Sequence, residues 1–542
     1  MRSAGARGVT VCALAGGLVL AACANDAGVD TLRSDTLVVT TPTVRPSPPA
    51  TPESSPGVPP GDVSFEAEFP FPDDLDLDLT QDLSATPASV DAQPPTTNES
   101  TDPGVASAGD SLYPELGNRD LDVISYVVRI DYDPAAPEIV GRVTIEAVAT
   151  AATDQIAFDA VDLAVEGVEV DGVDTSFTTT DDELVIDRAV ALDRAVSVEI
   201  SYRAAPSSQP GPFGAEIGWF ATAGGSYVLN EPDGLRYWMP ADDHPADKAT
   251  WRFELTVPDG LAAVANGEQL ASVDAGGSTT WIWEQREPMS TYLVMLLTGD
   301  YVVIDGGHVG EIPIVHVALA ADVDQMEPYF ATVRPQIEFF ETVFGPYPLD
   351  RYGLAFTDSY GGLAMETQGR SLFAASDFPP LDGDVIGGFE DLLLAHELAH
   401  QWFGNAVSPA DWADIWLNES FATYGNWLWF DHVGRQPIEE AAAVALTARH
   451  GTSNEPTGTP SVEAMFGFER YDGGAVVLHA LRREIGDDDF FIILQRWAAD
   501  NDGTSRTSAD FIDLAEEIAG RSLAGFFEAW LYGAVLPDAY PG

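Results

Sequence analysis

The chain is almost without lysine. Lys248 is the only one in 542 residues, and 25 basic side chains face 87 acidic ones for a formal charge of −62. Such a surface repels nucleic acid and anionic lipid, so no nucleic-acid partner is expected. Cysteine is equally scarce. Cys12 and Cys23 are the only two, which excludes any disulfide within residues 24–542. No EF-hand loop pattern accompanies the acidic runs, so they read as solvated surface rather than calcium sites. The apolar run at the N-terminus, Val9–Leu20, is too short for a membrane span. What the chain does have is length: 542 residues suffice for about two to four domains with sizeable cores.

The first 23 residues read as an export signal. Arg2 and Arg7 supply the positive region and Val9–Leu20 the apolar core. The stretch Leu20-Ala21-Ala22-Cys23 that follows resembles a bacterial lipobox, in which Cys23 is acylated and becomes the first mature residue. Ordinary cleavage near the same alanines is the alternative. The expectation is a protein exported and lipid-anchored to the outer face of the bacterial cytoplasmic membrane, touching the membrane only through that N-terminal lipid. Residues 24–110 are rich in Thr, Pro, Ser, Asp and Ala, and no Lys or Arg occurs between Arg45 and Arg119. That composition cannot bury enough apolar surface to fold, and its like charges extend it, so the segment reads as an acidic tether.

From residue 111 to about 305, short β-branched and aromatic runs such as Val123–Tyr132, Ile139–Ala149 and Trp251–Val257 alternate with Gly, Asp and Pro turns. They predict a mostly antiparallel β domain. Within it, Asn230–Thr250 reads as a polar loop, and His244 as a surface histidine. From 306 to 542 the period shifts toward helix. Val323–Phe344 predicts one helix, a second starts near Gly388 and carries H-E-x-x-H, a third carries Glu419 and stops at Gly434, and Arg470–Ile485, Phe490–Ala499, Ser508–Ile518 (with Ser508 as cap) and Leu523–Tyr532 predict the rest. Gly361–Gln368, a glycine-led segment ending near a carboxylate, predicts an edge strand beside a cleft. The fold class is α+β and multidomain.

The chemistry concentrates in Asp391–Tyr424. His396, Glu397 and His400 form H-E-x-x-H, which on a helix puts both imidazoles on one face, four residues apart. Two neutral imidazoles so spaced can hold one Zn²⁺, Glu397 is placed to act as general base toward a water, and Glu419 is the candidate third ligand. Asp411, Asp414 and Asn418 are candidate hydrogen-bond partners of the metal-binding imidazoles.

Eighteen residues separate His400 from Glu419. Together with His396–Asn405 (HELAHQWFGN) and Trp416–Ala422 (WLNESFA), this spacing resembles the aminopeptidase N family of zinc gluzincins, in a short form without the large C-terminal helical domain of most relatives. Glu231 and Arg236, then Asp243-His244-Pro245 and Lys248-Ala249, resemble two further segments of that family in the same order. Leu363–Thr367 resembles its Gly-Ala-Met-Glu-Asn exopeptidase motif, and Tyr471–Gly474 its Tyr-x-Lys-Gly. The resemblance implies a β domain followed by a thermolysin-like catalytic domain and one zinc per chain on His396, His400 and Glu419. It implies Glu397 as base and Tyr471 as donor to the oxyanion. It places Glu231 and Glu366, with Ala364 and Met365 in the same segment, against the free N-terminus of a peptide substrate. The expected activity is removal of single N-terminal residues outside the cytoplasmic membrane.

Three positions depart from the pattern. Leu363 and Thr367 replace the first Gly and the Asn of the exopeptidase motif, and Gly473 replaces the Lys that follows the tyrosine. With the sequence read to Gly542, the cleft is expected to be more open, or closed by another chain. A zinc endopeptidase or epoxide-type hydrolase on the same scaffold is the alternative enzyme. A surface-binding lipoprotein without catalysis is the alternative of another class, which the presence of His396, Glu397, His400, Glu419 and Tyr471 opposes.

Overall fold

A computed structural model describes residues 107–222, 225–357, 364–381, 385–451 and 455–542. The expected signal, Cys23, most of the expected tether and Leu363 lie outside the described residues. Asp110, the last residue assigned to the tether, is instead built into the fold. Its carboxylate accepts from the backbone N–H groups of Leu112, Tyr113 and Trp412 and faces His244 at 3.1 Å.

The first region is built on an eight-stranded sheet. In chain order its strands are β1 (Leu121–Tyr132), β2 (Ile139–Ala149), β3 (Ala164–Val170), β4 (Val173–Asp174), β5 (Ala195–Ala204), β6 (Lys248–Pro258), β7 (Glu268–Ala275) and β8 (Ser278–Ser290). They lie side by side in the order β7-β8-β6-β1-β2-β5-β3-β4. Burial alternates residue by residue along β2, β5 and β6, as a strand with one face on a core requires. All pairings are antiparallel except β1 with β6, where Tyr126 lies opposite Trp251. A second, five-stranded sheet runs from Ser208–Pro210 to Ala262–Ala265, and its Val228, Val264 and Leu297 share one core with Val128, Val143 and Phe253 of the first.

The second region carries a five-stranded mixed sheet and most of the helices. Its strands are β9 (Tyr301–Val309), β10 (Ile312–Leu319), β11 (Leu354–Thr357), β12 (Ala364–Met365) and β13 (Ser371–Ala374), in the order β9-β10-β11-β13-β12. Sheet membership places β9, which spans residue 305, with this region. The expected edge strand is β12, antiparallel to β13.

The helices are α1 (Val323–Phe330), α2 (Val333–Phe344), α3 (Phe389–Ala399), α4 (Trp416–His432), α5 (Ile438–Arg449), α6 (Asp472–Ile485), α7 (Asp487–Asp500), α8 (Ser508–Ala519) and α9 (Ala524–Trp530). Two expectations are corrected here. The single helix expected over Val323–Phe344 is two, because Pro335 has no N–H to give to the carbonyl of Ala331 and the chain steps at Ala331–Thr332. The cap of α8 is Thr507, not Ser508. Thr507 and Asp510 form a reciprocal capping box, while the Ser508 hydroxyl is used by Trp416 Nε1 and Asp414.

A third correction concerns Asn230–Thr250. It is not a solvated loop but a buried plug beside the second region. Trp238, Met239 and Asp243 are fully buried, and so is His244 at 2 % exposure. Several of its polar groups have partners inside. Trp238 Nε1 donates to Asn230, Arg236 pairs with Asp233, and Asp243 accepts the Arg236 N–H. No helix among the described residues is long and apolar enough to cross a membrane.

Candidate metal centre and active site

Helix α3 presents His396 and Glu397 from its last turn, with His400 as its C-cap residue. Its start is fixed by Asp391, a buried carboxylate that accepts from Gly387 N, Gln336 Nε2 and Trp429 Nε1. A carboxylate in a first helical turn complements the helix dipole, and here it also ties α3 to α2 and α4. Leu394 and Leu398 bury the opposite face. Helix α4 brings Glu419 in its own first turn. The two helices approach closely because position 425 is glycine, where a Cβ would lie 2.9 Å from Ala399 Cβ.

The three donor atoms converge. His396 Nε2 is 3.2 Å from Glu419 Oε2, His400 Nε2 is 3.4 Å from the same oxygen, and the two Nε2 atoms are 3.1 Å apart. Ligands about 2.0–2.1 Å from a tetrahedral zinc stand roughly 3.3 Å from one another, which the triad already matches. The electrostatics agree that a cation belongs here. Burial and the neighbouring His400 push His396 down. For His400 burial also opposes charge, but Glu366, Glu419 and Glu397 raise it to about 10. Burial would raise Glu419, yet the two imidazoles hold it at about 2. A carboxylate facing two buried imidazoles is thus an environment that favours a cation among the three donors. The donor set, two imidazoles and one carboxylate, fits zinc, and it leaves room for water or substrate at a fourth position.

The imidazole of His400 is oriented by a backbone group. Its Nδ1 stands 3.1 Å from the carbonyl oxygen of Phe403, so Nδ1–H donates there and Nε2 keeps its lone pair for the metal. A carbonyl partner has no sequence signal. None of the three side chains considered for this role bonds either imidazole, and Asn418 Oδ1 has no hydrogen-bond partner. Asp411 accepts from Ser111 and Ala413, Asp414 from Ser508, and Asn418 Nδ2 donates to Tyr292.

The remaining candidates gather around the triad. Glu397 is buried, and its burial and the charges of Glu366 and Glu419 push its proton affinity up, as suits a base. Tyr471 stacks on His396, rings 5.8 Å apart at 16°. Burial, then Glu419, Glu231, Glu366 and Glu397, hold its phenol well above the ordinary value, so it is a hydrogen-bond donor. Glu366 follows the edge strand of Ala364 and Met365, with Oε1 4.0 Å from His400 Nδ1. Glu231 comes from the buried plug, and burial and Glu366 raise it. Oε1 of each of these two glutamates is buried without a hydrogen-bond partner. Thr367 is buried, its hydroxyl turned back onto the Arg370 carbonyl.

Ser420 is a residue that sequence reasoning passed over. It follows Glu419, and its hydroxyl donates to the carbonyl of Arg470 at 2.5 Å, immediately before Tyr471. Glycine at 474 makes the contact possible, since a Cβ there would lie 1.6 Å from Ser420 Oγ. The Asn-Glu-Ser and Tyr-x-x-Gly motifs meet at this point, which neither shows alone.

Residues 123–293 match the peptidase M1 N-terminal domain, and residues 330–530 the peptidase family M1 domain. The chain belongs to peptidase family M1. A solved M1 zinc metallopeptidase from Deinococcus radiodurans is 29% identical, with TM-score 0.73, covering 80% of this chain and 99% of that one. A mutant M1 zinc metallopeptidase from the same organism, bound to the substrate Tyr-Ser-Ala, is 28% identical with TM-score 0.72 over the same shares. The β-rich first region thus carries the M1 N-terminal domain and the α+β second region the M1 domain. Among sequence relatives, the probable aminopeptidase 2 of Sulfurisphaera tokodaii is 25% identical over 72% of this chain, and the leucyl aminopeptidase of Saccharolobus solfataricus 25% over 76%. The chain spans about half the length of these two relatives, 50% and 53%.

Proposed function

We propose that this M1 peptidase is a zinc-dependent aminopeptidase that releases the N-terminal residue of peptides. The observation that carries the reading is the pair Glu231 and Glu366, a half-buried and a buried carboxylate beside the metal triad, each with a buried Oε1 that has no hydrogen-bond partner. Buried like charges raise one another until a cation joins them, and a protonated α-amine is such a cation. A carboxylate pair beside the metal measures the scissile bond from the free amine. The substrate-bound and aminopeptidase relatives support the same reading.

His396, His400 and Glu419 would hold the zinc, which when bound supplies Lewis acidity to the scissile carbonyl and acidifies a water. Glu397 takes the proton of the attacking water and returns it to the leaving amine. Tyr471 O–H donates to the oxygen on which negative charge develops. Glu231 and Glu366 hold the ammonium.

The test uses aminoacyl nitroanilides and their N-acetyl forms, with and without a chelator. Chelator-sensitive release from free amines only is expected; release from N-acetyl substrates would instead favour the endopeptidase. Glu397→Gln is expected to cut turnover by at least about 10²-fold with zinc content unchanged, and an active variant would refute the assigned base.

The location is part of the same proposal. The Leu20-Ala21-Ala22-Cys23 motif and the acidic Thr/Pro/Ser-rich segment after it support export and lipid anchoring at Cys23. Cys23→Ala is expected to move the enzyme from the membrane fraction to the soluble one in a bacterial host that processes lipoproteins, and unchanged fractionation would refute the anchor.

A further inference from the structure

Two amides on the far side of the zinc-binding turn hold Glu366 in place. Gln401 Nε2 and Asn405 Nδ2 both donate to the backbone carbonyl of Glu366, at 3.1 and 2.6 Å. Gln401 Oε1 in turn accepts from Gly369 N–H at 2.9 Å and from Asn405 Nδ2 at 3.1 Å. Both side chains are fully buried. The segment Glu366–Gly369 is therefore fastened at both ends to the turn that begins at His400.

The fastening continues into the other domain. Lys248, the only lysine of the chain, starts β6 and places Nζ 2.6 Å from the carbonyl of Asn405 and 3.0 Å from that of Ala406. Its ammonium spans the two domains to satisfy two carbonyls of the same turn. One hydrogen-bonded path thus runs from β6 through Asn405 to Glu366.

We propose that Asn405 and Gln401 are positioning residues that set the distance between Glu366 and the metal triad, and so determine preference for a free N-terminus. The inference rests on the aminopeptidase reading above and adds the device that fixes its measure. An ammonium held by carboxylates is sensitive to placement, because a displacement near 1 Å of a binding group costs up to about 10²-fold in rate. Loss of the Asn405 amide frees the Glu366 carbonyl while the triad stays intact, since neither side chain bonds a metal-binding side chain; Gln401 Nε2 also reaches the Glu397 carbonyl at 3.3 Å, so Asn405 is the more selective of the two. The defect is therefore confined to substrates that carry an amine.

The test compares alanyl p-nitroanilide with propionyl p-nitroanilide, which lacks the amine, in wild type, Asn405→Ala and Glu366→Gln. Because Asn405 is buried, Gln401→Met, which keeps the volume and removes both polar ends, is measured alongside. The expected result is an approximately tenfold or greater fall in the alanyl-to-propionyl ratio of kcat/KM, carried mostly by KM. In Asn405→Ala and Gln401→Met, propionyl turnover and zinc content stay at wild-type values, and Glu366→Gln, which alters the ammonium-binding carboxylate itself, serves only as the upper limit for loss of the ratio. An equal fall for both substrates, or an unchanged ratio in a folded variant, would overturn the assignment. A wild-type enzyme with no alanyl preference would overturn the aminopeptidase reading itself, which separates the two failures.

Discussion

Gly474→Ala tests how tightly α4, which carries Glu419, packs against the tyrosine turn. The added methyl would stand 1.6 Å from Ser420 Oγ and 2.5 Å from Ser420 Cβ. The hydroxyl can rotate away but Cβ cannot, so α4 and α6 must separate by most of an ångström at a fully buried point. Overpacking of this kind costs about 3 kcal/mol, offset by about 1 kcal/mol from replacing glycine inside a helix. A net loss near 2 kcal/mol lowers Tm by roughly 4–8 °C for a domain of this size. The same separation moves Tyr471 relative to Glu419, so turnover is expected to fall with stability.

The decisive measurement is the double variant with Ser420→Gly. It removes both clashing atoms, after which the nearest recorded neighbour of the new methyl is Thr457 Cγ2 at an ordinary 3.4 Å. Ser420→Gly alone loses the hydrogen bond to Arg470 and some helix propensity, about 1.5 kcal/mol together. Separate effects would sum to about 3.5 kcal/mol, whereas relief of the clash leaves the double variant within about 1 kcal/mol of wild type. Thermal unfolding of the four proteins reads the coupling. Additive losses, or a Gly474→Ala protein as stable as wild type, would refute the reasoning.

Tyr471→Phe is expected to lower kcat by about 10²–10³-fold with zinc content unchanged, as loss of one oxyanion donor does; a loss of metal instead would make the tyrosine structural. Glu419→Ala is expected to drop bound zinc well below one per chain by elemental analysis, and chelation of the wild type to abolish turnover until zinc returns. Stability should fall with rising pH in the neutral range. Burial, then the charge of Glu183, raises Asp159 to about 8, and burial raises Asp243 to about 8. Both groups hold protons in the folded state that the unfolded chain has released above about pH 4, so the stability they contribute is lost as pH rises through 8. Asp159→Asn keeps an oxygen to accept the Asp243 N–H. It should therefore flatten the decline in Tm between pH 5 and 9, and an equally steep decline would exclude this residue as its source.

The zinc helix, the metal triad and the β-then-α+β order were legible because each rests on local regularity: four-residue spacing for the imidazoles, alternation in β1 and β2, helical period in the second region. Expectations failed where a distant partner decided. Asn230–Thr250 has the composition of a solvated loop, yet its charged groups find partners such as Asp110, far away in the chain, and the segment is buried. Ser508 has the chemistry of a cap, but Trp416 and Asp414 claim its hydroxyl and Thr507 takes the role.

The sequence by itself determined which groups are available for the proposed chemistry. Imidazole, carboxylate and phenol are set by residue type, and H-E-x-x-H needs only a helix to face both ligands one way. Tertiary structure decided their relative distances. Glu231, Glu366, Glu419 and Tyr471 come from separate segments, and hydrogen bonds from Gln401, Asn405, Lys248 and Ser420 fasten parts of these segments together. The bonds that join different segments span 35 to 158 positions, and no local pattern encodes them. Whether four carboxylates repel one another or cooperate depends on burial and on spacing at the scale of an ångström, which only the folded chain supplies.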